Sequence, residues 1–180
     1  MIKSRDQSLV DRCLSGDRQA LETLVRDYQQ PLYNAAYRIL GNPEDAADAT
    51  QAAFLKAIEN LDRYDPNYKL FSWMYRIAVN EALNQLKRKK NQQPLDDRAV
   101  DDNPGPDAEF EAGNLSREIQ DGLMALTDPY RTVIVLRHFA DFSYRQISDV
   151  LEIPEKTVKS RLYSARQLMK ERLLAHGVTL

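Results

Sequence analysis

Cysteine and histidine are nearly absent: the 180 residues hold one Cys, Cys13, and two His, His138 and His176. A lone thiol forms no internal disulfide, and two histidines so far apart lack metal-ligand spacing, so no metal site is expected. Cys13 lies on an apolar helical face and reads as a small buried hydrophobe. The chain also has no glycine-rich phosphate loop and no cysteine close to a histidine, so nothing points to catalysis, a cofactor or a small-molecule substrate. No apolar run approaches the roughly 18 residues of a membrane span, and Met1 to Arg12 lacks the apolar core of a signal peptide. A cytoplasmic protein without membrane insertion is expected. Runs of alternating β-branched residues are missing too, which leaves an all-α fold.

Charge is plentiful but balanced, at a net -2. The balance hides a segregation: residues 1–95 carry 14 basic and 12 acidic side chains, 96–128 carry 2 and 10, and 129–180 carry 9 and 5. Because physiological salt screens charges beyond about 8 Å, a polyanion meets the charge of a block rather than the chain average.

Residues 92–113, QQPLDDRAVDDNPGPDAEFEAG, hold three prolines, two glycines and seven acids, with little to bury. This composition predicts an extended, flexible linker, and a stretch of over twenty residues without periodicity is uncommon inside a compact domain. It divides the chain into two small helical bundles, 1–91 and 114–180.

In the first bundle, Leu21, Leu24, Val25 and Tyr28, then Leu32, Ala36, Ile39 and Leu40, recur at helical spacing, and Pro31 should bend or break that helix. Asn42 as N-cap, Pro43 at the first helical position and acids in the first turn open the next helix, expected to run to about Leu61. On it Ala47, Thr50, Phe54, Ile58 and Leu61 form the expected buried stripe. Asp45, Asp48, Ala52, Leu55 and Glu59 face outward with Gln51 at the border, an acidic surface suited to a basic partner. The turn-rich DRYDPNYK, with Tyr64 and Tyr68, leads into a helix from about Leu70 that ends in Lys87-Arg88-Lys89-Lys90. Along it Trp73, Arg76, Ile77, Asn80, Asn84, Lys87 and Arg88 share one side. Single-stranded nucleic acid rewards such a mixture: aromatic faces stack bases for about 1 to 3 kcal/mol each, and cations neutralise phosphates. Packing of Trp73 into the core is the alternative.

The second bundle begins with helices around Leu115 to Leu126 and from Asp128-Pro129 to about Phe139. Ser143 then caps a short helix, Tyr144 to Leu151; Glu152-Ile153-Pro154 turns the chain; and a second helix follows from about Glu155. This is helix-turn-helix spacing, in which the second helix enters the major groove. At about 100° per residue, Val158, Leu162, Ala165 and Met169 fall on one side. Opposite stand Lys156, Ser160, Tyr163 and Gln167, flanked by Lys159, Arg166 and Lys170: cations for phosphates, and a hydroxyl, an amide and a ring for base edges. Arg161 falls near the buried side. A solvated basic face on an ordinary helical hairpin would share this spacing.

The wording of these segments adds to their spacing. Ser143-Tyr144-Arg145-Gln146-Ile147-Ser148, then Thr157-Val158-Lys159-Ser160-Arg161-Leu162 and Ala165-Arg166, resembles the carboxy-terminal domain of bacterial RNA polymerase sigma factors, in the extracytoplasmic-function (ECF) group of the sigma-70 family. Tyr33 to Arg38, Asp45 to Phe54 and Phe71 to Asn80 are similar to the amino-terminal domain of the same family. The resemblance implies that the second bundle reads the promoter -35 element, with Lys159, Ser160 and Tyr163 as leading groove contacts. Ser164 stands where relatives often carry Arg, a departure at a family DNA contact. It implies that the first bundle opens the -10 element, with the loop of Tyr64 and Tyr68 helping to capture a flipped base. Asp48 and Gln51, with Asp45 and Leu55, would meet the clamp helices of the polymerase β′ subunit. The β flap and an anti-sigma factor are further implied partners. A stand-alone helix-turn-helix regulator is the second functional reading, though neither heptads nor an obvious dimer helix accompany it. A helical adaptor is the third.

Overall fold

A computed structural model describes residues 5–92 and 114–175, all in helices and short connections. The proposed linker therefore lies outside the described residues, except for Gln92, which ends a helix. Four helices form the first bundle: α1 (Arg5–Leu14), α2 (Arg18–Leu40), α3 (Pro43–Glu59) and α4 (Leu70–Gln92), with one 3-10 turn at Leu61–Arg63. The second holds α5 (Asn114–Met124), α6 (Asp128–Ile134), a wider π turn at Val135–Phe139, α7 (Tyr144–Leu151) and α8 (Glu155–Ala175).

Local chemistry sets most boundaries. Asp17 caps α2, its carboxylate accepting from the Gln19 and Ala20 amides. Gly41 ends α2 at φ 75°, a left-handed turn that costs glycine little. Asn42 caps α3 as expected, its side chain accepting from the Asp45 amide at 3.0 Å. Pro31 does not break α2, which is continuous from Arg18 to Leu40. The contacts α2 makes on both sides, with α3 and α4, hold the helix through the missing amide donor, and Tyr75 Oη donates to the Pro31 carbonyl at 3.2 Å.

Helix α3 corrects the expected stripe. Its buried row is Ala46, Ala49, Thr50, Ala53, Phe54 and Ala57, whereas Ala47 is exposed and Ile58 is 42% exposed. Small side chains let α3 lie close against both α2 and α4, and close packing of this kind outweighs burying the largest residue available. The helix also stops at Glu59, and Leu61 is buried from the 3-10 turn that follows.

The two bundles pack on each other. Arg131 of α6 is 5% exposed, and its guanidinium donates to four carbonyls: Leu123 (2.9 Å), Met124 (3.2 Å), Leu126 (2.9 Å) and, across the bundles, Ile39 (2.6 Å). These carbonyls lie at the carboxy-terminal ends of α5 and α2, where helix dipoles concentrate negative potential. Burial pulls the guanidinium below its ordinary pKa, and Asp128 beside it acts in the opposite sense. Phe142, 1% exposed, seats against Phe71 and Tyr75 of α4, with ring centroids 5.3 and 5.1 Å away.

Replacing Arg131 by Met removes every one of these donors and strands buried acceptors, each worth about 1 to 3 kcal/mol. Thermal or urea unfolding should show Arg131→Met destabilised by about 3 kcal/mol or more; a loss under about 1 kcal/mol would mean that water replaces the guanidinium without difficulty.

Candidate nucleic-acid and polymerase surfaces

The helix-turn-helix is fixed by its caps. Ser143 Oγ accepts from the Gln146 amide at 3.2 Å while Gln146 Oε1 accepts from the Ser143 amide at 2.9 Å, a reciprocal capping box. Glu152 ends α7 at φ 53°, and Ser148 Oγ donates to the Ile153 carbonyl at 2.5 Å, closing the turn. Ile147 and Val150 of α7 are buried with Val158, Leu162 and Ala165 of α8, so α8 turns its opposite side outward as its periodicity predicts.

On that outer side Lys156, Lys159, Ser160, Tyr163, Arg166 and Gln167 are all exposed, Tyr163 at 69%. Ser164 and Arg161 are half-buried, so Ser164 sits at the edge of the face and Arg161 beside the core, as expected. Lys159 Nζ stands 6.0 Å from the Tyr144 ring, a cation over an aromatic that steers the side chain. Arg166 Nε donates to His138 Nε2 at 3.2 Å, an acceptor only while the imidazole is neutral. Burial, with Arg166 and Arg137 close by, holds the His138 pKa below its usual value.

The α4 row is also present. Arg76, Asn80, Asn84, Lys87 and Arg88 are exposed, while Trp73 and Ile77 are half-buried. Trp73 packs edge-on against Tyr64 at 5.7 Å, and Tyr64 Oη donates to the Tyr68 carbonyl at 2.6 Å, which fastens the turn before α4 to the helix. Tyr68 is left largely exposed. Trp73 thus serves packing and borders the row together. Arg76 is ion-paired with Glu152 of the second bundle. Lys89 and Lys90 pair with Asp45 and Asp128, whereas Lys87 and Arg88 make no ion pair among the described residues.

The third surface is α3. Asp48, Gln51 and Leu55 are exposed, Leu55 at 57%, and Ile58 joins Leu55 to make the outer face more apolar than expected. Asp45 departs from that face: half-buried, it turns to α4 and meets Lys89. Nothing periodic in the sequence marked the contacts between bundles. Phe142 lies in a turn, Arg131 looks like any helical cation, and Arg38, whose guanidinium lies 3.8 Å from the Phe139 ring centroid, carries no signal of its own.

These features define a class of protein: two helical bundles, the second presenting a capped helix-turn-helix with an open polar helix, the first an amide and cation row beside aromatics. Known families agree. Sigma-70 region 2 matches residues 24–92, and Sigma-70, region 4 matches residues 116–169. The ECF RNA polymerase sigma factor SigW of Bacillus subtilis (strain 168) is 34% identical over 185 residues, covering 96% of this chain and 97% of that protein. The ECF RNA polymerase sigma-E factor of Escherichia coli (strain K12) is 32% identical, covering 93% and 94%. Among solved structures, CnrH in complex with the cytosolic domain of CnrY has a TM-score of 0.71 at 24% identity, covering 96% of this chain and 99% of that one. The sigma factor RpoE from Bartonella quintana, in complex with the anti-sigma factor NepR, has a TM-score of 0.70 at 20% identity, covering 84% and 95%. At those identities the structural likeness is one of fold. The chain belongs to the sigma-70 family of RNA polymerase sigma factors, in the ECF group, and the family consists of transcription initiation factors rather than catalysts. No helix among the described residues is long and apolar enough to cross a membrane.

His138 makes the fold sensitive to acid. Its folded pKa lies below the unfolded value of about 6.5. As pH falls through that value the unfolded chain takes up the proton first, so stability declines with acid and is fully retained at higher pH. The melting temperature should therefore fall less between about pH 7.5 and 5.5 for His138→Gln than for the parent chain; equal slopes would show that His138 is not held neutral.

Proposed function

We propose that the chain directs polymerase to promoters through three surfaces, one for each partner, on domains spanning 1–91 and 114–180 with a linker between. The outer face of α8 reads the -35 element in the major groove: Lys159, Ser160 and Tyr163 contact base edges, Gln167 and Ser164 border them, and Lys156 and Arg166 meet phosphates. The observation that carries this reading is a contiguous polar face, open on a helix that follows a short helix fixed by a capping box and a left-handed turn at Glu152. The α4 row of Trp73, Arg76, Asn80, Lys87 and Arg88 engages the -10 strand, with Tyr64 and Tyr68 shaping the loop that receives an extruded base. Asp48, Gln51 and Leu55 dock on the clamp helices of the β′ subunit, with the β flap as a second contact. Asp45 supports this surface from beneath through Lys89.

The protein is no enzyme in this reading and works in the cytoplasm without a cofactor. Membership in the family supports an anti-sigma factor as a further partner, one that masks polymerase-binding surfaces. The modest net charge suits a reader that grips DNA only when polymerase holds it, because few cations are available to bind DNA by charge alone.

A gel-shift assay separates this reading from a stand-alone regulator. Promoter DNA should shift with core polymerase present and hardly at all with the purified chain alone; tight binding to a palindrome without polymerase would end the sigma reading. Lys159→Ala with Tyr163→Ala should abolish promoter-specific transcription while leaving core binding intact, since each good base contact is worth about 1 to 3 kcal/mol. Asp48→Ala with Gln51→Ala should abolish core binding in a polymerase pull-down, and promoter-specific transcription with it, and loss of core binding in the first pair instead would show the faces misassigned.

A further inference from the structure

Helix α4 begins where its own sequence offers no cap. The Trp73 amide donates to the Lys69 carbonyl at 3.2 Å, which puts Lys69 at the N-cap, and a lysine side chain has donors but no acceptor. The acceptor comes from 64 residues away: Asp6 Oδ2 of α1 accepts from the Leu70 amide at 3.0 Å. A carboxylate suits the first turn of a helix, where amides lack intrahelical partners and the dipole is positive. Helix α1 precedes the residues 24–92 that Sigma-70 region 2 matches, yet it holds the start of α4.

Asp6 also stands at the inner edge of the loop between α3 and α4. Burial, with the Asp6 charge next in effect, raises the Tyr28 pKa to about 12 and lifts that of Tyr64 as well. One half-buried carboxylate thus faces α2, the loop and the start of α4 together. The loop is closed on itself. Asp65 Oδ1 accepts from the Asn67 amide at 2.9 Å and from Asn67 Nδ2 at 2.8 Å, and the Tyr64 hydroxyl donates to the Tyr68 carbonyl. Leu61 and Leu70 are buried at its two ends, and Tyr64 leans on Trp73. Apolar packing of this kind is non-directional. The bond from Leu70 to Asp6 has a fixed direction, and it ties the end of the loop to a separate helix.

We propose that Asp6 is a positioning residue for base capture: by tying the first amide of α4 to α1, it fixes where the Tyr64–Tyr68 loop stands against the -10 strand. The inference rests on the reading of that loop as the receiver of an extruded base. Extrusion forfeits stacking, and only a fitted receiver offsets the loss. Such a receiver must be held within about 0.5 Å of its productive place. In this role Asp6 acts through the Leu70 amide and not by touching the strand.

The test uses holoenzyme assembled from core polymerase and the full chain. Its probe is a fork-junction DNA, duplex at -35 and single-stranded at -10, selected from a random library by the parent holoenzyme. Copies of the probe carry an abasic sugar at one -10 position at a time. Binding is read as the ratio of affinities for intact and abasic probe, so effects on folding, core binding or phosphate contacts cancel. In the parent, one position should show a ratio of at least about tenfold. In Asp6→Ala the ratio there should fall below about threefold. Lys69→Ser supplies a local cap. Added to Asp6→Ala it should restore the melting temperature and leave the ratio below about threefold, because the tie to α1 is still missing. Lys69→Ser alone should keep the parent ratio; a fall there would show that the loop depends on Lys69 rather than on α1 and would overturn the proposal. Recovery of the ratio in the double variant would also overturn it, since Asp6 would then be a helix cap and nothing more. If Asp6→Ala does not fold or bind polymerase, the double variant decides; if that variant fails too, Asp6 is a determinant of folding and the proposal is lost. A parent without any base-sensitive position sinks the capture reading itself, whereas a large parent ratio that Asp6→Ala leaves intact sinks the proposal and spares the reading.

Discussion

A single buried guanidinium joins the ends of two helices that belong to different bundles. Helix carboxy termini leave carbonyls without intrahelical donors and carry negative potential. In this chain the ends of α2 and α5 both point such carbonyls at Arg131, which bonds Ile39 on one side and Leu123, Met124 and Leu126 on the other. Burying a cation is costly unless it is fully bonded, and here the cost is met by acceptors that would themselves be stranded without it. The left-handed turn at Gly41 is part of the same arrangement. It ends α2 where Arg131 can reach, and Met124 packs so closely over it that an added Cβ would meet the thioether.

From that anchor the placing of the candidate surfaces follows. With α6 fixed to the end of α2, the turn after its π segment delivers Phe142 to the aromatic pair on α4, and α7 follows onto the same helix. Helix α8 is left on the outside, its polar face turned away from the core. Helix α4 is used on two sides. Met74, Ala78, Val79 and Ala82 face the core of the first bundle, and Arg76, Asn80 and Asn84 run along the opposite surface. A helix so divided has little freedom to change register, because shifting the core face by one residue would turn the outer row by about 100°.

What could be read in advance was what is local. The helix-turn-helix was legible because its signals all agree: Ser143 at the cap, an apolar period through Ile147, Val150, Val158, Leu162 and Ala165, and a turn at Glu152-Ile153-Pro154. The α4 row was legible for the same reason. Helix α3 misled because its inner face is alanine, which a reading weighted toward large apolar residues passes over in favour of Ile58. Asp45 misled because its partner, Lys89, is 44 residues away. Pro31 misled because packing from both sides kept α2 whole. Least legible was the contact between bundles, where Arg131 and Ile39 are separated by 92 residues; neither periodicity nor composition encodes which distant carbonyl a given arginine will meet.

The charge balance takes on a structural meaning once the pairs are known. Several α4 cations are neutralised within the fold, with Lys89 held by Asp45, Lys90 by Asp128 and Arg76 by Glu152. On the outer face of α8, Lys156 and Lys159 make no ion pair among the described residues, and Arg166 meets a histidine rather than a carboxylate. The two candidate surfaces therefore differ in kind. The α8 face is open as it stands, whereas the α4 row is partly occupied by the chain's own acids. A cation already paired releases fewer counterions when it meets phosphate, so its exchange of partners contributes little to non-specific affinity. Pairing α4 cations from within thus lowers the free positive charge this helix offers to any polyanion, while Lys87 and Arg88 make no ion pair among the described residues.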